Sequence, residues 1–367
     1  MPKLLCIHLV HIERRRRRNM RRLQKTHQNA PERGANMNEI VLSGIRATGR
    51  LHFGNFLGAV QQFVRFQKGG DTCLYFIADL HTLTTLGNPN ELRSNLIEIV
   101  KDYLAAGLDP NASVIYAQSS VPEIPELCLY LSMVEPIGEL QTVPTFKEKV
   151  RKQPENVNLG LFTYPVLMAA DILGPKTTLV PVGSDQVPNV ELARDLARRF
   201  NARYGDVFVI PRMMEQMIKV PGLDGEKMGK SESDNAIDIN APMSEIAARY
   251  RTKAVTDPER KLREDKGDPY NRCRSVYPVH ELITEGESAT RAIAQKCLNA
   301  EIGCAECKGV LVQSIAKVLE PFQEKRREIA DKDDLVKEIL HEGGKKARKM
   351  IAETVAVVRD RMGIVVY

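Results

Sequence analysis

Between residues 40 and 201 the chain alternates short, nearly continuous apolar runs with longer stretches in which apolar side chains recur every three or four positions. The runs at 40–45, 73–78, 113–117 and 178–182 are too short for helices and rich in β-branched and aromatic residues, so they read as buried strands. Leu92, Leu96, Ile99, Val100, Tyr103 and Leu104 fall on one face of a helix over 91–106, which Gly107 closes. Leu192, Ala193 and Leu196 do the same for 184–200, directly behind the fourth run. Strands alternating with helices predict an α/β fold, a parallel sheet covered by helices. Such a sheet binds ligands where strand ends meet helix starts, which sets His52, Asp79, His81 and Asp185 along one edge.

Past residue 231 the strand pattern fades. The chain becomes highly charged, with helical periodicity at 246–251, 289–298, 308–329 and 335–361. The pattern predicts a basic extension over 1–36, a sheet domain over 37–234 and a mainly helical domain over 235–367. Whether the last helix packs back onto the sheet domain is open at this level. No apolar run reaches membrane-spanning length, so no membrane partner is expected.

Charge changes the picture at the front. Of 53 Lys and Arg and 47 Asp and Glu, ten bases and two acids fall in residues 1–36, leaving 43 bases and 45 acids for the rest. The apparent basicity therefore belongs to the extension, and any nucleic-acid surface on the folded part is a local patch. Three readings compete for 1–36: a start assigned upstream of a natural beginning at Met37, a disordered arm on RNA, or an Arg-rich targeting segment. Seven cysteines without a secretory signal point to the reducing cytoplasm rather than a disulfide scaffold.

Two short strings carry the chemistry. His52-Phe53-Gly54-Asn55 lies where the first strand gives way to a helix, so backbone N–H groups and a positive helix end face any bound phosphate. Lys227-Met228-Gly229-Lys230-Ser231 places two lysines in a stretch with Pro221, Gly222 and Gly225 that reads as a mobile loop, the kind that closes over phosphates. A P-loop is excluded, since Gly225 to Ser231 is one residue short, and no strand is followed by Gly-x-Gly-x-x-Gly. Taken singly, each residue has a plainer reading: His52 as a helix cap, Asp171 as a buried carboxylate satisfied by backbone, the lysines as solvated charge. Their order on these elements favours a site that binds ATP and activates a carboxylate.

The pair of strings resembles the class I aminoacyl-tRNA synthetases. With Ser43 to Gly49, Tyr164 to Leu173 and Val180 to Gln186, the chain from Met37 onward resembles the bacterial tryptophanyl-tRNA synthetases, and the Met168-Ala169-Ala170-Asp171-Ile172-Leu173 block is the most specific element. The resemblance implies a Rossmann-like catalytic domain, a helical anticodon-binding domain, and ligation of tryptophan to tRNA(Trp) by way of tryptophanyl-adenylate. It implies that Asp171 accepts the indole N–H, that Met168 and Leu42 wall the ring, and that Tyr164, Gln186 and His81 approach the substrate. It puts Arg46, Ala47, Thr48, Gly54, Asn55, Gly183, Ser184, Asp185, Ile218 and the Lys227–Ser231 string around ATP, with Lys227, Lys230, His52, Lys149 and Mg²⁺ supplying catalytic charge. It also implies a homodimer. The alternatives are a tyrosine-specific enzyme of the same fold and a non-catalytic paralogue that binds tRNA or an amino acid. One departure stands out: the lid string has Gly229 where the wider class usually has Ser.

Cys273, Cys297, Cys304 and Cys307 are spaced by 23, 6 and 2 residues. Buried cysteines are commonly small hydrophobes, the reading that suits Cys73 and Cys128. Four thiols ending in Cys-x-x-Cys suggest a metal instead, and on the residues alone zinc and a four-iron cluster both fit. Resemblance to a subgroup of bacterial tryptophanyl synthetases favours a [4Fe–4S] cluster, with zinc as runner-up. Arg272, Arg274 and Lys308 flank the ligands, where they could meet anticodon bases.

Overall fold

The computed structural model describes residues 39–85, 87–215, 218–229 and 234–365. Five strands, β1 (Ile40–Arg46), β2 (Thr72–Ala78), β3 (Ser113–Ala117), β4 (Leu179–Val182) and β5 (Arg212–Glu215), form one sheet in the order β3-β2-β1-β4-β5. All neighbouring pairs are parallel. β2 is buried along nearly its whole length because helices cover both faces, which is why its sequence is apolar at successive positions instead of alternating. The sheet order reverses between β1 and β4, so the ligand crevice of such a fold lies beyond their C-terminal ends. That is where the first string and Gly183-Ser184-Asp185 fall.

The helices are α1 (Phe53–Asn55), α2 (Gln61–Lys68), α3 (Asp79–Thr82), α4 (Pro89–Ala105), α5 (Glu123–Ser132), α6 (Ile137–Thr142), α7 (Pro144–Lys152), α8 (Leu159–Leu173), α9 (Val187–Tyr204), α10 (Met243–Lys253), α11 (Val276–Ile283), α12 (Glu287–Leu298), α13 (Cys304–Glu328) and α14 (Asp333–Arg361). A π-helical turn, Phe56–Val60, joins α1 to α2. One apolar cluster lies on one side of the sheet under α2 and α4 and runs into α10, α11 and α13; the other packs Leu42, Phe76 and Tyr116 against α5, α8, α9 and α14.

α14 lies against the edge strand β3 at very close range. A Cβ on Gly343 would come within 1.8 Å of the Ile115 carbonyl oxygen, and one on Gly344 within 2.7 Å of Ser120 Oγ. Only glycine allows this approach, which covers a strand edge that would otherwise be open. α13 is tied to α4 by ions: Arg326 donates to Asp102 at 3.0 Å and to Glu98 at 2.5 Å.

β5 and the helices between β3 and β4 escape the sequence pattern. β5 is four residues long, with Arg212 and Glu215 at its ends, and shows neither alternation nor a sustained apolar run. In the helices, Pro144 at the start of α7 and Pro165 within α8 look like breakers.

Candidate active site

The segments after β1, β2, β3 and β4 each deliver a group to the site: His52, His81, Gln118 and Asp185. After β1 the chain turns through Thr48 and Gly49 into α1, whose N-cap is His52. His52 Nδ1 accepts from the Asn55 N–H at 3.2 Å, and Asn55 Oδ1 accepts from the His52 N–H at 3.3 Å. This reciprocal box satisfies two donors of the helix start. In the neutral ring, an accepting Nδ1 requires the proton on Nε2. The cap reading and the functional reading of His52 thus coincide: one ring nitrogen builds the helix end and the other carries a donor. Backbone from beyond the lid string braces the turn, for Phe53 N–H donates to the Ile237 carbonyl at 2.8 Å and His52 bridges Asp238. Behind this strap, the Gln323 side chain on α13 donates to the Ile239 and Ala241 carbonyls at 2.8 and 2.9 Å.

The two strings touch. The Gly54 N–H points at Met228 Sδ, 3.3 Å away, and a Cβ on Gly54 would lie 2.9 Å from His52 Nδ1 and 3.3 Å from Met228 Cβ. Ile218 is on the same side, its carbonyl 3.2 Å from where a Gly58 Cβ would stand. The described part of the expected loop forms a tight hairpin over 220–228: Gly222 N–H bonds the Glu226 carbonyl at 2.7 Å, Met228 N–H bonds the Val220 carbonyl at 3.3 Å, and Pro221 bridges Lys227. Val220, Leu223 and Met228 are buried and anchor it, an apolar signal hidden among glycines. A Cβ on Gly229 would meet only the Lys227 carbonyl oxygen, at 3.9 Å. Lys230 and Ser231 lie outside the described residues.

After β4, Gly183 permits a turn in which a Cβ would stand 2.7 Å from Asp185 Oδ1; the turn, Gly183-Ser184-Asp185-Gln186, leads into α9. Lys227 Nζ reaches Asp185 Oδ1 at 3.0 Å. Burial disfavours charge on Asp185, but hydrogen bonds from Gln186 and Lys227 outweigh it and hold the carboxyl below its usual range. The pair is half exposed, so little binding energy is locked into it. Gln186 also accepts from Asn189 at 2.9 Å.

Deeper in, beneath β2 and β3, is a different kind of group. Asp171 on α8 is 1% exposed. His81 Nε2 sits 2.9 Å from its Oδ2, and Gln118 Nε2 donates to both oxygens at 2.9 and 2.8 Å. Burial pushes the Asp171 carboxyl up, and the His81 and Gln118 contacts pull against it. The His81 ring meets Tyr164 edge-on at 6.3 Å, and Lys149 Nζ stands 3.3 Å over the Tyr164 ring. Burial, and then the nearby charge of Arg46, push Lys149 down to about 7. Arg46 is held by the His81 carbonyl at 3.3 Å and Thr85 Oγ1 at 2.5 Å, and Ala47 N–H by Thr82 Oγ1 at 2.8 Å. Leu42 and Met168 pack in the same apolar cluster, on the Asp171 side of the sheet.

Sequence reasoning missed Gln118 and Gln323. Gln118 had one available signal, a polar residue at the C-terminal end of a strand, the position already used for His52, Asp79 and Asp185. Gln323 had none, because its role depends on a strap more than eighty residues away.

The four cysteines are not drawn into one ligand group: among the described residues no three His, Cys, Asp or Glu side chains stand together as a metal would require. They are nonetheless neighbours. Burial first, with the neighbouring Cys297 and Cys304 adding to it, raises Cys273 to about 11 and Cys307 to about 12. Arg260 points at Cys297 Sγ from 3.7 Å, His280 Nε2 lies 3.5 Å from Cys307 Sγ, and a Cβ on Gly267 would stand 2.6 Å from Cys297 Sγ. The donor set, four thiols with Arg260 and His280 beside them, is of the kind a thiolate-bound group takes, but the described side chains are not gathered as such a group needs.

The family described as tRNA synthetases class I (W and Y) matches residues 35–320. The tryptophan–tRNA ligase of Thermotoga maritima is 39% identical over 329 residues, spanning 88% of this chain and 99% of its own. That of Porphyromonas gingivalis is 41% identical over 331 residues, spanning 89% and 99%. The crystal structure of Campylobacter jejuni tryptophanyl-tRNA synthetase complexed with ADP and tryptophan is similar with a TM-score of 0.78, at 35% identity over 88% of this chain and 99% of that one. A parallel sheet with its crevice at the β1/β4 reversal, two touching strings and this likeness over nearly the whole described length place the chain in the class I tryptophanyl- and tyrosyl-tRNA synthetase family, as one of its tryptophan–tRNA ligases.

Proposed function

We propose that the buried pocket at Asp171 selects tryptophan and that the crevice between β1 and β4 holds ATP. The observation that carries this reading is a carboxylate 1% exposed whose side-chain partners, His81 and Gln118, present N–H groups to it. The indole N–H is a donor, so Asp171 can take one more; Leu42 and Met168 wall the ring, and Tyr164, His81 and Gln186 approach its amino-acid end. A substrate without the N–H leaves the buried acceptor unpaired, a mismatch worth roughly 10⁴- to 10⁵-fold in sites of this kind.

A tryptophan carboxylate oxygen attacks the α-phosphorus, a P–O bond forms, the bond to the β-phosphate breaks, and pyrophosphate leaves with its electrons. The tRNA hydroxyl then takes the acyl group and AMP leaves. The first step needs positioning and positive charge more than a base. Lys227, Lys149 and the His52 Nε2–H are this chain's described sources of it, with Lys230 completing the lid string. Arg46, Ala47, Thr48, Gly54, Asn55, Gly183, Ser184, Asp185, Ile218 and Met228 line the nucleotide. Mg²⁺, expected of a class I synthetase, needs no protein cage, since it binds largely through substrate phosphates. Tryptophan-dependent ATP–pyrophosphate exchange, with tyrosine in parallel, tests the reading. Exchange with tryptophan alone supports it; exchange with tyrosine or with neither overturns it.

Cys273, Cys297, Cys304 and Cys307 would hold a [4Fe–4S] cluster, with zinc as the runner-up. When bound, it would cross-link the loop before α11, the end of α12 and the start of α13. Arg272 and Arg274 beside it would then be presented to the anticodon. Iron and zinc analysis with an absorbance scan of anaerobically purified protein decides between the two metals, and the absence of both ends the proposal. A homodimer working in the cytoplasm completes the reading. Leu129, Met133, Ile137 and Leu159, each more than half exposed, are candidates for its interface.

A further inference from the structure

We propose that Gln118 is the positioning residue that aims Asp171 at the indole N–H and keeps it in its accepting form. The inference rests on the assignment of Asp171 to that N–H.

Gln118 follows β3 directly and is 0% exposed. Its amide has one orientation that satisfies both ends. Oε1 accepts the His81 backbone N–H at 3.2 Å, so Nε2 must face Asp171, where it reaches both carboxylate oxygens. The Asp171 carboxylate has about four lone-pair directions. Gln118 spans the two oxygens and His81 takes a second site on Oδ2, which leaves an acceptor direction on Oδ1. A bridging donor stops the carboxylate from rotating about its Cβ–Cγ bond, and the remaining direction is thereby fixed in space. Because the same amide also ties down the His81 backbone, it couples the indole acceptor to the ring that meets Tyr164 edge-on.

The bridge also bears on charge. A carboxylate in this position is disfavoured by burial, and Asp79, Tyr116 and Cys128 face it from α3, β3 and α5. Asp79 adds like charge. The two N–H donors, from His81 and Gln118, work the other way. Once protonated, Asp171 would offer a hydroxyl of its own to the indole N–H, donor against donor. Loss of Gln118 therefore makes tryptophan recognition sensitive to acid.

The test is ATP–pyrophosphate exchange with Gln118→Leu, using tryptophan and the analogue that carries sulfur in place of the indole N–H. The expected result is a tryptophan KM raised about 10- to 100-fold, the worth of a buried hydrogen bond to a charged group, with kcat and the analogue's KM changed far less. The variant's tryptophan KM rises as pH falls, more steeply than the wild-type value does. If the two KM values rise together, or neither moves, the proposal is overturned. Gln118→Met, of similar length and unbranched, gives the same comparison should the leucine variant fail to fold. Asp171→Ala, which leaves no acceptor, distinguishes the two assignments. If it leaves discrimination between tryptophan and the sulfur analogue intact, the Asp171 assignment has failed. If it abolishes discrimination while Gln118→Leu does not, only the positioning role has failed.

Discussion

The two halves of the site, the buried Asp171 pocket and the phosphate end where the two strings meet, are organised on opposite principles. At Asp171 every described polar partner is buried, and the geometry stands complete without substrate. At the phosphate end, Lys227 is exposed and pairs with Asp185, while Met228 Sδ faces the Gly54 N–H. The difference matches the two tasks. Discrimination between similar side chains gains from a rigid acceptor that cannot adapt to the wrong ring, whereas transfer of a nucleotidyl group needs charge that arrives with the phosphates and leaves with pyrophosphate.

The largest expected effect is at the rigid end. Asp171→Ala should lower kcat/KM for tryptophan by about 10³-fold or more, with the ATP KM little changed, because the N–H donors of the indole, His81 and Gln118 are left facing a void. A similar rise in both KM values would mean the two ends are not separate. Lys227→Ala should act in the reverse sense: a kcat fall on the order of 10²-fold, as for the loss of one charged stabiliser of a developing anion, with tryptophan affinity retained.

Lys149 sits between the two, over Tyr164 and near Arg46, and gives the comparison a pH signature. Burial lowers its pKa to about 7, so the charge is present below that pH and is lost as pH rises through it. The value of kcat/KM for ATP, which reports the free enzyme, should fall about tenfold between pH 6 and 8. Lys149→Arg, charged throughout, should flatten the profile; an unchanged slope would assign it to another group.

Smaller effects come from the supports. Gln323→Leu removes two hydrogen bonds to the strap behind His52. About 1–3 kcal/mol of stability should be lost in denaturant unfolding, and kcat should suffer more than the tryptophan KM. Gly229→Ser should change adenylate formation within about threefold, since a Cβ there has open space and the substitution mainly trades chain freedom for a hydroxyl. A rate gain marks the glycine as a compromise, and a loss marks freedom as the requirement.

How far these features were legible in sequence follows from how local they are. Four strands and the C-terminal helices announce themselves by periodicity, because burial on one or both faces writes a pattern into consecutive residues. β5 and the proline-punctuated helices from Glu123 to Leu173 do not, since short elements and breakers erase the pattern. His52, Asn55 and the glycines of both strings could be placed because a helix start and a tight turn demand particular residue types. The order in which the 220–228 hairpin packs could not, because three buried side chains among glycines resemble a loose loop. Gln118 and the Gln323 strap are tertiary facts, created only when β3 meets α8 and α13 meets the chain beyond the lid.

The separation of a preformed tryptophan pocket from a phosphate end assembled on demand is tested most directly by calorimetric titration of tryptophan, without ATP, into the wild-type chain and Lys227→Ala. The account predicts dissociation constants within about twofold of each other, because the lysine makes no contribution to a pocket complete in its absence. A weakening of about tenfold or more, equal to about 1.4 kcal/mol, would contradict it and make the two ends a single cooperative site.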